Sequence, residues 1–457
     1  MKSVKFLLFS FLAVFLTNCE SELELNPKQN EDATVTLSSA EGINNVLAGA
    51  YSIAAQGEAY GGRIQTSADL LAQTGVTATT DFRWRGTFAA CRQFYTKAIQ
   101  NNNIFVEDIY TRNYRIINAA NIVLDKISLI QDPARRTVMI GEANFLKALA
   151  YFDLVRFYAK QYEVGQPNTN LGVVIRPAAI YDFSVNLAKQ RSTVQEVYNE
   201  IITNLNTAYT NLPASNSYFA DKYSAKALLA RVYLQQENYV AARDAAQDVI
   251  ANSGHGMSST YATAFNHDID EVEDVFAIQI TKQTGDNQLV NLHASEANGG
   301  RGGDIEIRGT YLNKFTDAND VRRNFNYIDS NTGRRLTSKY TNQFGNVVLI
   351  RFAELLLIRA ECNFRLSTTV GATPLDDVNR IRTRAVATNF AAITLADILK
   401  ERVLELAMEG LAIHDIRRTK ATINGSSTFL YTDDRVVFPI PLREMDTNNL
   451  ISQNPGY

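Results

Sequence analysis

The run Ser224-Ala225-Lys226-Ala227-Leu228-Leu229-Ala230-Arg231-Val232-Tyr233-Leu234 carries the clearest structural signal in this chain. Ala225, Leu228, Leu229 and Val232 recur at helical spacing, so one stripe of the helix is apolar and small. Gln236-Glu237-Asn238 breaks that pattern, and Tyr239 and Ala242 open a second apolar-periodic run that continues to Ile250. The reading is a helical hairpin. Its alanines let two helices approach closely, and its tyrosines fill the gaps beside them.

That order of small and aromatic residues matches a tetratricopeptide pair over 224–252. A looser pair with a longer turn is expected over 351–386, from Phe352–Leu366 and Pro374–Ala385. Phe145, Ala148, Leu149, Phe152 and Val155 place another helix at 145–158. Asp132-Pro133 and Ser192-Thr193 read as helix starts, with Ser192 as the cap of a segment running to about Leu212. Strand-like runs are few, at Phe276–Ile280 and Val347–Ile350. The glycine-rich and polar stretch from Asn252 to Asn346 reads as loops. The expected fold is mostly α: tetratricopeptide-like helix pairs forming a right-handed superhelical scaffold, with a long loop-rich insertion and little β.

The sequence has 45 basic and 48 acidic residues and a formal net charge of -3. There is no cationic excess to neutralise a phosphate backbone, so nucleic acid is not expected as a partner. The N-terminus is distinctive. Lys2 and Lys5 precede an apolar stretch from Phe6 to Leu16, and Leu16-Thr17-Asn18-Cys19 follows. A charged start and a short apolar core describe a secretory signal over 1–18. A Cys at the cleavage point is where bacterial lipoproteins are acylated, so Cys19 is the expected lipid attachment site. Residues 19–37 then form an acidic tether, opening with Glu20, Ser21, Glu22 and Glu24, and 38–457 the folded body. Acyl chains at about 0.8 kcal/mol per buried methylene would hold such a protein on a membrane.

Six segments of the chain resemble one family. Tyr114-Arg115-Ile116-Ile117-Asn118-Ala119-Ala120-Asn121, the segment from Gly141-Glu142-Ala143 to Phe157-Tyr158, Ala225–Leu234 and Arg351–Glu361 resemble helices of SusD/RagB-type lipoproteins. Phe438-Pro439-Ile440-Pro441-Leu442-Arg443-Glu444 and the final Gln453-Asn454-Pro455-Gly456-Tyr457 resemble that family's ending. Ala412 and Ile413 depart from its usual Arg and aromatic, and Asn449 from a common Pro. The resemblance implies a surface-exposed, lipid-anchored outer-membrane protein. Such a protein binds an oligosaccharide or peptide nutrient and delivers it to a SusC-like TonB-dependent transporter. No catalysis and no cofactor are implied.

His255, His267, His293 and His414 show no metal-ligand spacing, and His414 reads as packing. Asp268, Asp270, Glu271, Glu273 and Asp274 read as a solvated acidic loop; their spacing is not that of a helix-loop-helix calcium site. Cys362 shares a helical face with Leu355 and Ile358 and is expected to be buried, and a bridge to Cys91 is not expected. Asn298-Gly299-Gly300-Arg301-Gly302-Gly303-Asp304 lacks a phosphate-cradling pattern. It resembles a SusD-like segment whose surrounding loops approach the ligand, the alternative being a flexible connector. Asp81-Phe82-Arg83-Trp84-Arg85 holds the only tryptophan, and its flanking charges argue for an exposed ring. The expected ligand-binding residues are Asp81, Arg83, Trp84, Arg85 and Arg301, with Trp84 as the stacking platform. A secreted glycan hydrolase and a tetratricopeptide interaction scaffold are the competing readings. The first lacks convergent catalytic groups, and the second leaves the arginine-aromatic loop unexplained.

Overall fold

A computed structural model describes residues 37–75, 78–281, 285, 287–423 and 429–457. Cys19 and the acidic tether lie outside the described residues.

In chain order the described elements begin with α1 (Ala40–Ala55), α2 (Arg63–Leu71), β1 (Phe82–Trp84), α3 (Ala89–Thr96), α4 (Ile104–Asp125) and α5 (Pro133–Tyr158). Then come α6 (Val194–Asn211), α7 (Lys222–Gln235), α8 (Tyr239–Asn252), β2 (Asp274–Ile278), α9 (Gln288–His293), β3 (Ile305–Ile307) and α10 (Gly309–Leu312). The chain continues with β4 (Asn326–Ile328), β5 (Arg335–Thr337), β6 (Val347–Arg351), α11 (Phe352–Leu366) and α12 (Pro374–Arg384). It closes with α13 (Leu395–Glu405), α14 (Ala412–Arg418) and α15 (Leu442–Thr447).

The hairpin α7–α8 forms where the periodicity puts it. Asp221 and Ser224 make a capping box at the start of α7, and the Asn238 side chain accepts from the Ala241 N–H to start α8. Glu237 takes a left-handed φ of 57° to turn the chain between them. Ala242, Ala245, Ala246 and Val249 of α8 are buried against α7, the small side chains allowing close approach. Successive helices stack in order, α4 on α5, α5 on α6, α6 on α7, α7 on α8, α8 on α11 and α11 on α12. This is the expected mostly helical, tetratricopeptide-like fold.

Two local expectations change. Thr193, not Ser192, caps α6, in a reciprocal box with Glu196 (Glu196 N to Thr193 Oγ1 3.2 Å, Thr193 N to Glu196 Oε2 2.7 Å). Ser192 is committed elsewhere: its N–H donates to Val173 O at 3.0 Å and its carbonyl accepts from Gly172 at 2.7 Å. The 252–346 insertion also holds more order than loops. β2 pairs antiparallel with β6, β4 with β5, and β3 reaches back to β1.

The acidic run is the larger correction. Asp268, Asp270 and Glu271 are exposed, but Glu273 is 0% and Asp274 4% exposed. Glu273 accepts from Arg351 and Arg384, which also bond Glu405; Arg322 joins Glu405 to Asp320 and Glu401. Lys339 and Arg351 share Glu409. This charge lattice ties the insertion (Glu273, Asp320, Arg322, Lys339) to α12 and α13. It is tolerated inside because every charge faces an opposite one.

The C-terminal block closes the end of α5. The Phe438 ring stacks between Phe94 (4.9 Å) and Phe157 (4.7 Å). The Asn454 side chain donates to Tyr158 O (2.8 Å) and Phe438 O (2.7 Å). Arg191 and Arg417 supply further donors to the last carbonyls of α5 (Arg191 Nη2 to Tyr158 O 2.9 Å, Arg417 Nη2 to Ala159 O 2.6 Å), favourable both as hydrogen bonds and against the helix dipole. Cys91 and Cys362 are buried free thiols, and His414 packs edge-on against Phe157 at 5.1 Å.

Candidate functional site

The two segments singled out in the sequence meet in space. β1 and β3 pair antiparallel with Phe82 opposite Ile307, Arg83 opposite Glu306 and Trp84 opposite Ile305. Backbone bonds lengthen the ladder at both ends, Arg85 N to Asp304 O at 2.6 Å and Arg308 N to Asp81 O at 2.9 Å. Phe82-Arg83-Trp84-Arg85 and Ile305-Glu306-Ile307-Arg308 both alternate apolar and charged residues. In a pleated ladder that pattern sends the apolar set inward and the charged set outward.

Trp84 therefore goes the other way from the sequence expectation. It is 6% exposed and belongs to the core with Phe82, Ile305 and Ile307. The charges beside it point to the opposite face, so they carried no information about its exposure. Gly86 is needed there, because a Cβ would come within 2.5 Å of both the Trp84 ring and Asp304. Trp84 is no exposed platform.

The exposed aromatic is Phe88, 39% accessible and missed in the sequence. The Arg301 guanidinium lies 4.0 Å from its ring centroid, in cation–π geometry. Arg301 Nη2 also donates to Thr87 Oγ1 at 2.7 Å, and its Nε sits 3.1 Å from Asp304 Oδ2. The glycine-rich segment is a built turn, not a loose connector. Arg301 N donates to Asn291 O at 3.0 Å and Gly303 N to Ala294 O at 2.7 Å, while a Cβ on Gly300 would lie 2.1 Å from Ala294 O.

On the outward face of the β1–β3 ladder, Glu306 takes Arg85 Nε on Oε2 (2.7 Å) and Arg308 Nη1 on Oε1 (3.3 Å). Burial pushes the Glu306 carboxyl up, but Arg85 and Arg308 outweigh it and hold it below the usual range. With both oxygens engaged it is a positioning anion rather than a base. Burial raises the Asp304 carboxyl, against the pull of Arg301 and Arg334. Arg83 forms no ion pair among the described residues, so the face keeps cationic capacity. On that face Arg83, Arg85 and Arg308 outnumber Glu306.

Asp81 does not join this face. Its carboxylate pairs with Lys314, and with Phe82 it lines a separate pocket of about 340 Å³ that also includes Tyr311 and Val403. Of the five residues proposed from sequence, Arg83 and Arg85 share the outward face of the β1–β3 ladder, Arg301 sits with Thr87, Phe88 and Asp304, Trp84 lies beneath the ladder and Asp81 lies apart. Phe88, Glu306 and Arg308 are the additions. The alternation in residues 305–308 was the available signal for the last two. Among the described residues, no group of three or more His, Cys, Asp or Glu side chains is placed to hold a metal ion. No described helix is long and apolar enough to cross a membrane.

A family described as "Starch-binding associating with outer membrane" matches residues 23–234, and one described as "SusD family" matches residues 204–457. The chain belongs to the SusD family. Among its relatives, SusD-like protein P38 of Formosa agariphila is 26% identical over 100% of this chain and 99% of its own length. The starch-binding protein SusD of Bacteroides thetaiotaomicron is 28% identical over 42% of this chain and 36% of its own. A SusD superfamily crystal structure from Bacteroides thetaiotaomicron superposes with a TM-score of 0.81, at 24% identity, over 91% of this chain and 100% of that one. A putative sugar-binding protein from Bacteroides vulgatus gives 0.80 at 24% identity, over 92% and 99%. The helical order described above is thus the fold of SusD-superfamily proteins.

Proposed function

We propose that this SusD-family chain is a non-catalytic binding protein on the outer face of the outer membrane. Lipidated at Cys19, it captures an oligosaccharide and passes it to a SusC-like TonB-dependent transporter. The observation that carries the reading is the Phe88–Arg301 pair, with Arg83, Arg85 and Arg308 on the outward face of the β1–β3 ladder that leads into it. A sugar ring stacks on an aromatic face through its C–H groups, and the guanidinium forks bind hydroxyls or anionic substituents. Membership in the SusD family supports the assignment, as does the likeness to the starch-binding protein SusD of Bacteroides thetaiotaomicron. The arginine excess favours a glycan carrying carboxylate or sulfate groups over a neutral one. It also favours ligand capture over a plain interaction scaffold.

Calorimetric titration of the mature chain with neutral, uronate-containing and sulfated oligosaccharides tests this. The acidic ligands should bind tighter, and their affinity should fall as salt rises. Phe88→Ala should cost about 1 kcal/mol, near fivefold in Kd, and Arg301→Ala about 1.5–3 kcal/mol. Tighter binding of neutral glucans, unmoved by either substitution, would reject the site. Steady release of shortened products, lost on a single Asp→Asn change, would favour the hydrolase reading instead.

The anchor is tested separately. Cys19→Ala should move the protein from the membrane to the soluble fraction, with a mass lacking acyl chains. An acyl-free Cys19 in the wild-type protein would refute the assignment.

A further inference from the structure

A second concave surface shares no residue with the Phe88 face. It is a groove of about 620 Å³ between α1, α4, the 174–183 segment and α15. Val46, Ile53, Tyr114, Ile122, Ile180 and Phe183 give it an apolar lining, and Phe183 is 71% exposed. Its wall is fixed in place: Tyr114 Oη donates to Val174 O at 2.7 Å, and the Asn118 side chain bonds both the N–H and the carbonyl of Ile180 (2.8 and 2.9 Å). Arg115, Arg176 and Arg443 also line it, against Glu107 and Glu444. Arg443 faces Glu107 at 3.6 Å, whereas Arg115 and Arg176 have no carboxylate partner among the described residues.

We infer that this groove is the seat of the chain's own tether, residues Glu22 to Leu25. Three observations converge on that occupant. The first is position: Val46 and Ile53 belong to α1, the first described helix, about 9 and 20 Å along from its start at Ala40. The second is reach: residues 26–36 span up to about 36 Å when extended, more than enough to fold back along α1. The third is complementarity. In extended chain Glu22-Leu23-Glu24-Leu25 presents two leucines on one side and two glutamates on the other. The leucines suit the apolar lining, and the glutamates suit Arg115 and Arg176. Because the contact is intramolecular, the segment is present at a millimolar effective concentration, so weak contacts suffice and a second copy competes poorly.

The test uses the mature chain from residue 20, without acylation. Leu25→Cys paired with Ile122→Cys should form an intramolecular disulfide about tenfold faster than Leu25→Cys paired with Val240→Cys on α8. Equal rates, or a predominantly intermolecular product that places a second copy in the groove, would overturn the inference. A second readout leaves the body untouched. Replacing Glu22 and Glu24 by Lys and Leu23 and Leu25 by Ser should speed hydrogen exchange in 104–125 and 174–183. Unchanged exchange there would also overturn it.

Discussion

Glu405→Gln is expected to cost about 3–5 kcal/mol of stability, the cost of leaving buried charge unpaired. Glu405 is 0% exposed. Its Oε1 accepts from Arg351 Nη1 (3.0 Å) and from Arg384, and its Oε2 accepts from Arg322 Nη1 (3.2 Å). A glutamine keeps the shape but places a neutral amide, half of it a donor, against three guanidinium groups. The pH dependence follows from the same contacts. Burial alone would raise this carboxyl, but Arg384, Arg351 and Arg322 outweigh it and hold its pKa far below the ordinary value. A carboxylate depressed on folding contributes stability above its unfolded pKa of about 4.3, and that contribution is lost as pH falls toward the folded value. Urea unfolding of wild type and Glu405→Gln at neutral pH and at about pH 4 measures both effects, and the gap between the two proteins should narrow in acid. A difference below about 1 kcal/mol at neutral pH would mean that the lattice relaxes around the lost charge. Because this lattice ties the insertion to α12 and α13, the variant should also loosen the turn that carries Arg301.

Trp84→Ala is expected to cost about 3 kcal/mol or more, the range for removing a large aromatic from a packed core. The ring lies in the same core as Phe82, Ile305 and Ile307, beneath the binding face. Affinity for an oligosaccharide should change only through loosening of the β1–β3 pair, by much less than Phe88→Ala changes it. As the chain's only tryptophan, Trp84 reports its own setting. Its emission should be blue-shifted in the folded protein and insensitive to aqueous quenchers, and ligand should scarcely alter it. A near-normal melting temperature combined with a large loss of affinity would return Trp84 to the ligand surface and displace Phe88.

The different fates of Trp84 and Cys362 show where sequence reading works. Cys362 lies on a long helix, where several turns of Leu355, Ile358 and Leu366 set one face, so its burial was legible. Trp84 lies on a three-residue strand, too short for any period to declare which side looks inward. Its exposure depended on Ile305 and Ile307, more than two hundred residues away.

Local periodicity and chain-end motifs were enough to establish the helix pairs, the 236–238 turn, the start of α5 at Asp132-Pro133 and the family. The helix pairs, the turn and the helix start each rest on residues within a few turns of one another, and the family on the order of such segments along the chain. The sequence also marked 81–85 and 298–304 as the segments to watch. Tertiary structure alone decided that they pair, that Phe88 rather than Trp84 is the open aromatic, and that Asp81 turns to Lys314 in another pocket. It also decided that Glu273 is core while Asp270 is surface. A charge is buried only when partners arrive from elsewhere in the fold, and those of Glu273 are Arg351 and Arg384, about 80 and 110 residues on. Helical spacing is written in the neighbourhood of each residue; the pairing of charges and the inward face of a short strand are properties of what the fold brings alongside.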